Sequence, residues 1–143
     1  MAQMNIENLT SELIVDEALK LKPYHCTAGK LTIGIGRNLE DVGISTDEAR
    51  YLLKNDIDRV CAQLDAALPW WRTMSERRQR VLANMCFNMG IGNSTRGLLS
   101  FRNTLASMQR GDYRAAARGM RDSSWAKQVG ARAERLAKMM EEG

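Results

Sequence analysis

Three residues in one short stretch carry side chains suited to chemistry. They are Glu17, Cys26 and Thr32, within the run Asp16 to Leu39, DEALKLKPYHCTAGKLTIGIGRNL. Glu17 falls in the last turn of a helix-like run, where the helix dipole is negative, and it continues an apolar stripe. Both features disfavour the carboxylate and favour the protonated carboxyl. A carboxyl that keeps its proton near neutral pH can act as a general acid, the group that protonates the leaving oxygen in glycoside hydrolysis. The plain alternative is an exposed acid at a helix end, and periodicity alone does not separate the two. Thr32 stands beside Gly34 and Gly36, so its hydroxyl would face a surface with little side-chain bulk. Glu17, Cys26 and Thr32 are expected to face one cleft.

Positioning these groups requires a helix, a hairpin and a support. Residues 7–20 read as a helix with Leu9, Leu13, Ile14, Glu17 and Leu21 near one face, and Pro23 limits its extent. Thr27 to Lys30 is a turn signal, after which Leu31, Ile33 and Ile35 alternate with Thr32, Gly34 and Gly36. The apolar three are expected to face a core and the others the opposite way. Gly34-Ile35-Gly36 is not a dinucleotide loop, because the third glycine and the following helix are missing. Ser45-x-x-Glu48 is a capping box, and it opens an amphipathic helix of about twenty residues ended near Pro69. Cys61 lies on the apolar stripe of that helix and reads as a core cysteine. Ser75 caps the next helix, through Met89, with Gly90 as its stop. Its apolar residues wrap most of its circumference, which predicts the buried centre of a helical lobe. Leu98, Phe101, Leu105 and Met108 make the next helix, ended by Gly111. Asp112 caps a short one, Ser123 or Ser124 starts another, and Ala133, Leu136, Ala137 and Met140 define the last. The methionines mostly occupy stripe positions, which points to core packing.

Composition narrows the function classes. The 143 residues fit one compact domain or two small lobes. Residues 1–69 carry 7 Lys and Arg against 11 Asp and Glu, a balance of −4; residues 70–143 carry 14 against 6, a balance of +8. The basic half suggests an anionic partner, or simply solvated helix faces. No apolar run approaches the roughly 20 residues that span a bilayer. No basic segment followed by an apolar one marks a secretory signal, so the protein is expected to stay in the cytoplasm until something else moves it. Three widely spaced cysteines, Cys26, Cys61 and Cys86, are no disulfide framework. The single histidine, His25, has no partner at metal-ligand spacing, so it reads as a solvated turn residue and neither metal nor cofactor is expected.

Glu17, eight residues, Cys26, five residues, Thr32, then Ile33-Gly34-Ile35-Gly36 and an arginine resembles the catalytic signature of the small phage lysozymes, the endolysins of double-stranded DNA phages. The family pattern is an acid, then usually an aspartate, then a threonine opening a T-[IV]-G-[IYW]-G strand. Asn84 to Gly90 is similar to the family's N-M-x-F-x-M-G helix, and Trp125, Gln128 and Arg132 fit its W-x-x-Q-x-x-x-R segment. The resemblance implies an α+β, mainly helical, two-lobed lysozyme fold over residues 1–143. A hairpin lobe would cover about 15–45 and a connecting helix 46–68. A helical lobe, packed with the N-terminal helix, would cover 69–143. It implies hydrolysis of the β-1,4 bond between N-acetylmuramic acid and N-acetylglucosamine in peptidoglycan. Glu17 would be the acid, and Thr32 would position water or sugar. By matched position, Asn38, Phe87, Thr104 and Arg132 would line the cleft or brace it. It further implies a monomer that needs a holin to reach the wall and binds no nucleic acid.

One residue departs from the family pattern: Cys26 stands where an aspartate is usual. A thiolate can replace that carboxylate as a base or nucleophile if its pKa falls below the ordinary value of about 8.5, with Lys22, Lys30 and His25 near enough in sequence to help. A weaker positional role is the other reading. A base implies inversion and a separation from the acid of about 6.5–9.5 Å; a nucleophile implies retention and about 5–5.5 Å. The family generally inverts, which favours a base that orients water. The rival function is a non-catalytic one: a peptidoglycan-binding lobe or a basic nucleic-acid-binding helical protein.

Overall fold

The computed structural model describes residues 2–143. The chain is mainly helical with one small sheet, as expected. It divides into two compact units, residues 1–51 and 52–143, with the boundary inside the long helix α2 (Thr46–Ala67).

The N-terminal unit holds α1 (Ile6–Glu17), β1 (Lys20–His25), β2 (Leu31–Gly34) and β3 (Arg37–Asn38). Asn5 caps α1, its side chain accepting from the Asn8 N–H at 2.9 Å. The helix stops three residues short of the expected end. Ala18 takes φ 63°, ψ 154°, a region that disfavours any residue with a Cβ, while its N–H still donates to the Ile14 carbonyl at 3.0 Å. The reason lies in the sheet: β1 pairs with β2 and claims residues from Lys20 onward. Pro23 is compatible with β1 because that strand is an outer one of the order β1-β2-β3.

Two turns join the strands. In the first, the Gly29 N–H donates to the Cys26 carbonyl at 2.8 Å and the Cys26 N–H to the Lys30 carbonyl at 2.9 Å. Gly29 has φ 80°, the left-handed position that closes a three-residue hairpin loop. In the second, Ile33 pairs with Arg37 across Gly34-Ile35-Gly36. The alternation read along a longer strand therefore ends at Gly34, and Gly36 is a turn residue. The expected inward face also differs. Thr32 is the buried residue of β2, whereas Leu31 and Ile33 are half-buried and Ile35 is exposed. The helix α1 buries none of its own residues, so it offers those aliphatic side chains no apolar face that is itself buried.

An ion pair secures the start of α2. Arg37 Nη1 donates to Glu48 Oε1 at 2.8 Å and to the Gly43 carbonyl at 3.1 Å. Glu48 Oε1 also accepts the Ser45 N–H at 2.8 Å, and Ser45 Oγ accepts the Glu48 N–H at 3.1 Å, completing the capping box.

The C-terminal unit holds the later part of α2, then α3 (Glu76–Met89), α4 (Arg102–Gln109), α5 (Tyr113–Arg121), α6 (Ser124–Val129) and α7 (Ala131–Glu142). As expected, Ser75 caps α3 and Gly90 ends it at φ 81°. Val81, Leu82, Met85 and Cys86 are fully buried, so α3 does run through the core. Ala116 and Ala117 of α5 and Ala133 and Ala137 of α7 are buried on two helices in contact, and their small side chains let the axes approach. Arg78 fastens the end of α7. Its Nε donates to the Met140 carbonyl at 2.7 Å and Nη2 to that of Glu141 at 3.1 Å, while the guanidinium covers the Tyr113 ring at 3.5 Å.

The Glu48 carboxyl is held at about 2, below its ordinary 4.5, first by the Arg37 guanidinium and then by the Ser45 N–H. A folded-state value below the unfolded one gives stability that is present above pH about 4.5 and lost as pH falls toward about 2. The melting difference between wild type and Glu48→Gln, measured across a pH series, should shrink through that window. A difference constant with pH would contradict the clamp.

Candidate active site

The sheet register assembles one face. Thr32 pairs with Tyr24 of β1 on one side and with Asn38 of β3 on the other. Cys26 lies two residues beyond Tyr24, so alternation puts it on the same face, diagonal to Thr32. Thr32 Oγ1 donates to the Lys30 carbonyl at 2.8 Å, which fixes the buried hydroxyl and leaves its oxygen lone pairs to accept.

The Cys26 thiol is shifted toward the thiolate. The backbone N–H groups of Lys30 and then Ala28, at the turn, lower its pKa; burial opposes them; the Thr32 hydroxyl and the residue's own N–H add smaller contributions. The single hydroxyl proton of Thr32 rests on the Lys30 carbonyl, so it serves the sulfur only by swinging over when the thiolate forms. The nearby cations are not the cause, contrary to expectation. Lys30 Nζ turns instead to Asp41 Oδ1 at 3.4 Å and Glu40 Oε2 at 3.9 Å. Peptide dipoles at the Gly29 turn supply what the lysines do not.

Glu17 is the last residue of α1 and reaches the opposite end of β2. A Cβ placed on Gly36 would lie 2.8 Å from Glu17 Oε2 and 3.0 Å from its Cδ. The bare face expected around the glycines is thus approached by the chain's own carboxyl. Within its unit the Glu17 side chain is exposed, and the apolar enclosure expected for it is absent because Leu13 and Ile14 are exposed too.

Asn38 is committed to a turn. Its Oδ1 accepts the Asp41 N–H and its Nδ2 donates to Asp41 Oδ2, both at 3.0 Å. Of the two roles expected, this geometry is that of a brace. In the C-terminal unit, Phe87 and Arg132 line a groove of about 430 Å³ with Leu53 and Ile57. Arg132 is oriented by Asn84, whose Oδ1 accepts from Nε at 3.0 Å and Nη2 at 2.7 Å. Thr104 lines a separate cavity of about 890 Å³ with Arg96, Arg102, Trp125 and Gln128. Sequence reasoning missed the Lys30 and Ala28 amides, the Gly36 contact and the Arg37–Glu48 clamp. The second left a trace in the bare glycine face and the last in the capping box; the amides left none. Among the described residues no cluster of three or more His, Cys, Asp or Glu side chains is arranged to hold a metal ion.

The three thiols should react differently. Cys26 is half-buried with its pKa lowered, whereas burial, with Cys61 adding a smaller effect, pushes the Cys86 thiol up. Iodoacetamide followed by peptide mapping should label Cys26 faster than Cys86, with a rate that levels off at a lower pH than for free cysteine. A pH dependence equal to that of free cysteine would contradict the amide cradle.

The phage lysozyme family model matches residues 15–141. The chain is 32% identical, over 85% of its length, to the pre-baseplate central spike protein Gp5 of Enterobacteria phage T4, spanning 25% of that protein. It is 25% identical to a probable T4-type lysozyme of Dictyostelium discoideum over 96% of both chains. It is 31% identical to an endolysin of Acyrthosiphon pisum secondary endosymbiont phage 1, over 70% of this chain and 66% of that one. With a family match across nearly the whole chain, the protein belongs to the phage lysozyme family and is a glycoside hydrolase of the lysozyme type.

Proposed function

We propose that the chain is an endolysin that hydrolyses the β-1,4 bond between N-acetylmuramic acid and N-acetylglucosamine in peptidoglycan. One observation carries this reading: β2 gathers all three groups, with Thr32 in it, Cys26 at one turn and the Glu17 carboxyl against the other. Glu17 gives its proton to the glycosidic oxygen as the bond to the anomeric carbon breaks and the electron pair leaves with that oxygen. A water held by Thr32 attacks the anomeric carbon from the other side, and its proton passes to the Cys26 thiolate. Exchange with solvent restores both groups. Asn38 braces the hairpin, and Phe87, Thr104 and Arg132 bind or brace the glycan from the helical lobe. The likeness to an endolysin supports a monomer that waits in the host cytoplasm and reaches the wall through a holin-opened membrane, with no nucleic acid involved. Among the described residues no helix is long and apolar enough to cross a membrane.

Release of reducing ends from purified peptidoglycan tests the roles. Glu17→Gln should stay folded by circular dichroism and lose at least about a hundredfold in rate. Cys26→Ala should be slowed by at least about tenfold, and Cys26→Asp should work while resisting alkylation. A Glu17→Gln protein as fast as wild type removes the acid; an unslowed Cys26→Ala protein removes the thiol. Binding without any release of reducing ends would instead indicate a non-catalytic wall binder.

A further inference from the structure

Gly36 has left-handed backbone, φ 69°, which by itself explains a glycine. Gly34, two residues earlier in the same turn, has nearly the same conformation, φ 73°. The two differ in what surrounds them. A Cβ on Gly34 would meet nothing within 4 Å. A Cβ on Gly36 would meet three atoms of one side chain, Glu17 Oε2 at 2.8 Å, Cδ at 3.0 Å and Cγ at 3.1 Å. The Glu17 side chain therefore lies along the Gly36 backbone, in space that only a residue without a side chain leaves free.

The other side of Glu17 is equally constrained. Ala18 follows it at φ 63°, ψ 154°, where a Cβ is disfavoured, so α1 cannot wind on and the chain turns at once into β1. A long side chain at an exposed helix end would ordinarily sample many rotamers. Here the backbone break sets where it starts and the Gly36 backbone closes one side of its path.

We infer that Gly36 is a positioning residue for the Glu17 carboxyl, holding it against the turn that leads out of the strand bearing Thr32. This rests on Glu17 being the acid of the proposed reaction. A methyl group at Gly36 displaces the carboxyl by roughly an ångström, a misplacement that can cost about a hundredfold in rate. Gly34 supplies the control, because an alanine there carries the same backbone strain and touches nothing.

The experiment compares Gly34→Ala, Gly36→Ala and Glu17→Gln by reducing-end release from purified peptidoglycan, with rates corrected for folded fraction by circular dichroism. Both glycine variants should lose similar amounts of melting temperature. Only Gly36→Ala should lose about a hundredfold in kcat with KM little changed, and its kcat/KM pH profile should shift on the limb set by the acid. Should Gly36→Ala fold less well than Gly34→Ala, Glu17→Ala added to it should remove the difference, because the methyl group then has room and only the shared backbone strain is left. Glu17→Ala added to Gly34→Ala should restore nothing. Equal rates for the two glycine variants beside an inactive Glu17→Gln protein would overturn the Gly36 role alone. A fully active Glu17→Gln protein would overturn the acid and the Gly36 role with it. Absence of the restoring effect would likewise overturn the contact.

Discussion

The N-terminal unit depends on one constraint: β2 is four residues long and must pair on both edges. A strand of that length spans about 13 Å. Pairing on both sides fixes Thr32 between Tyr24 and Asn38, and Thr32, not an aliphatic residue, is the buried residue of the strand. The hairpins that supply the two partners need a turn at each end. One turn carries Cys26; the other presents Gly36 to Glu17. Local backbone geometry thereby brings three chemically different groups to one short strand without a large core beneath them.

Fixed dipoles, more than mobile charges, set the electrostatics of that strand. Lys30 is occupied by Glu40 and Asp41, while its backbone N–H lies by the Cys26 sulfur. An amide locked in a turn needs no reorientation when charge develops, which is the condition for effective electrostatic stabilisation. A similar economy governs the basic half of the chain. Arg121 pairs with Glu134 and Glu141, Arg72 with Asp65 and Arg80 with Glu76, while Arg78 caps carbonyls and Arg132 is held by Asn84. These arginines of the basic half are thus engaged within the helical unit.

The helices were largely legible in the sequence because their signals are local. Ser45, Ser75, Asp112 and Ser123 stand at helix starts as their side chains require, and Gly90 follows the end of α3. The apolar circumference of α3 pointed to the core, where Val81, Leu82, Met85 and Cys86 lie, but the helix buries one face only and Phe87 is exposed. Contacts set by pairing were not legible. Nothing local to Ala18 announces a left-handed break; β1 imposes it. Nothing in Gly34-Ile35-Gly36 tells which glycine serves the backbone and which makes room for a carboxyl. Asn38 was expected, by matched position, to line the cleft or brace it, and nothing in the sequence showed that the Asp41 turn would occupy both ends of its amide. Of the site, the types Glu17, Cys26 and Thr32 were visible, but the amides that suit a thiol to its position have no side-chain signature at all.

A thiol as the base of the proposed reaction changes what must be true of the surroundings. A carboxylate is charged at neutral pH unaided, whereas a cysteine needs help to be, and the Gly29 turn gives that help from the same hairpin that locates the sulfur. In the proposed reaction a water oriented by Thr32 and deprotonated by Cys26 attacks the face opposite Glu17. The stereochemistry of the first product tests this most directly. Proton magnetic resonance of a soluble glycan during cleavage should show the inverted, α-configured reducing end appearing first, before mutarotation. A β-configured first product would contradict a base at Cys26 and point to a covalent intermediate instead.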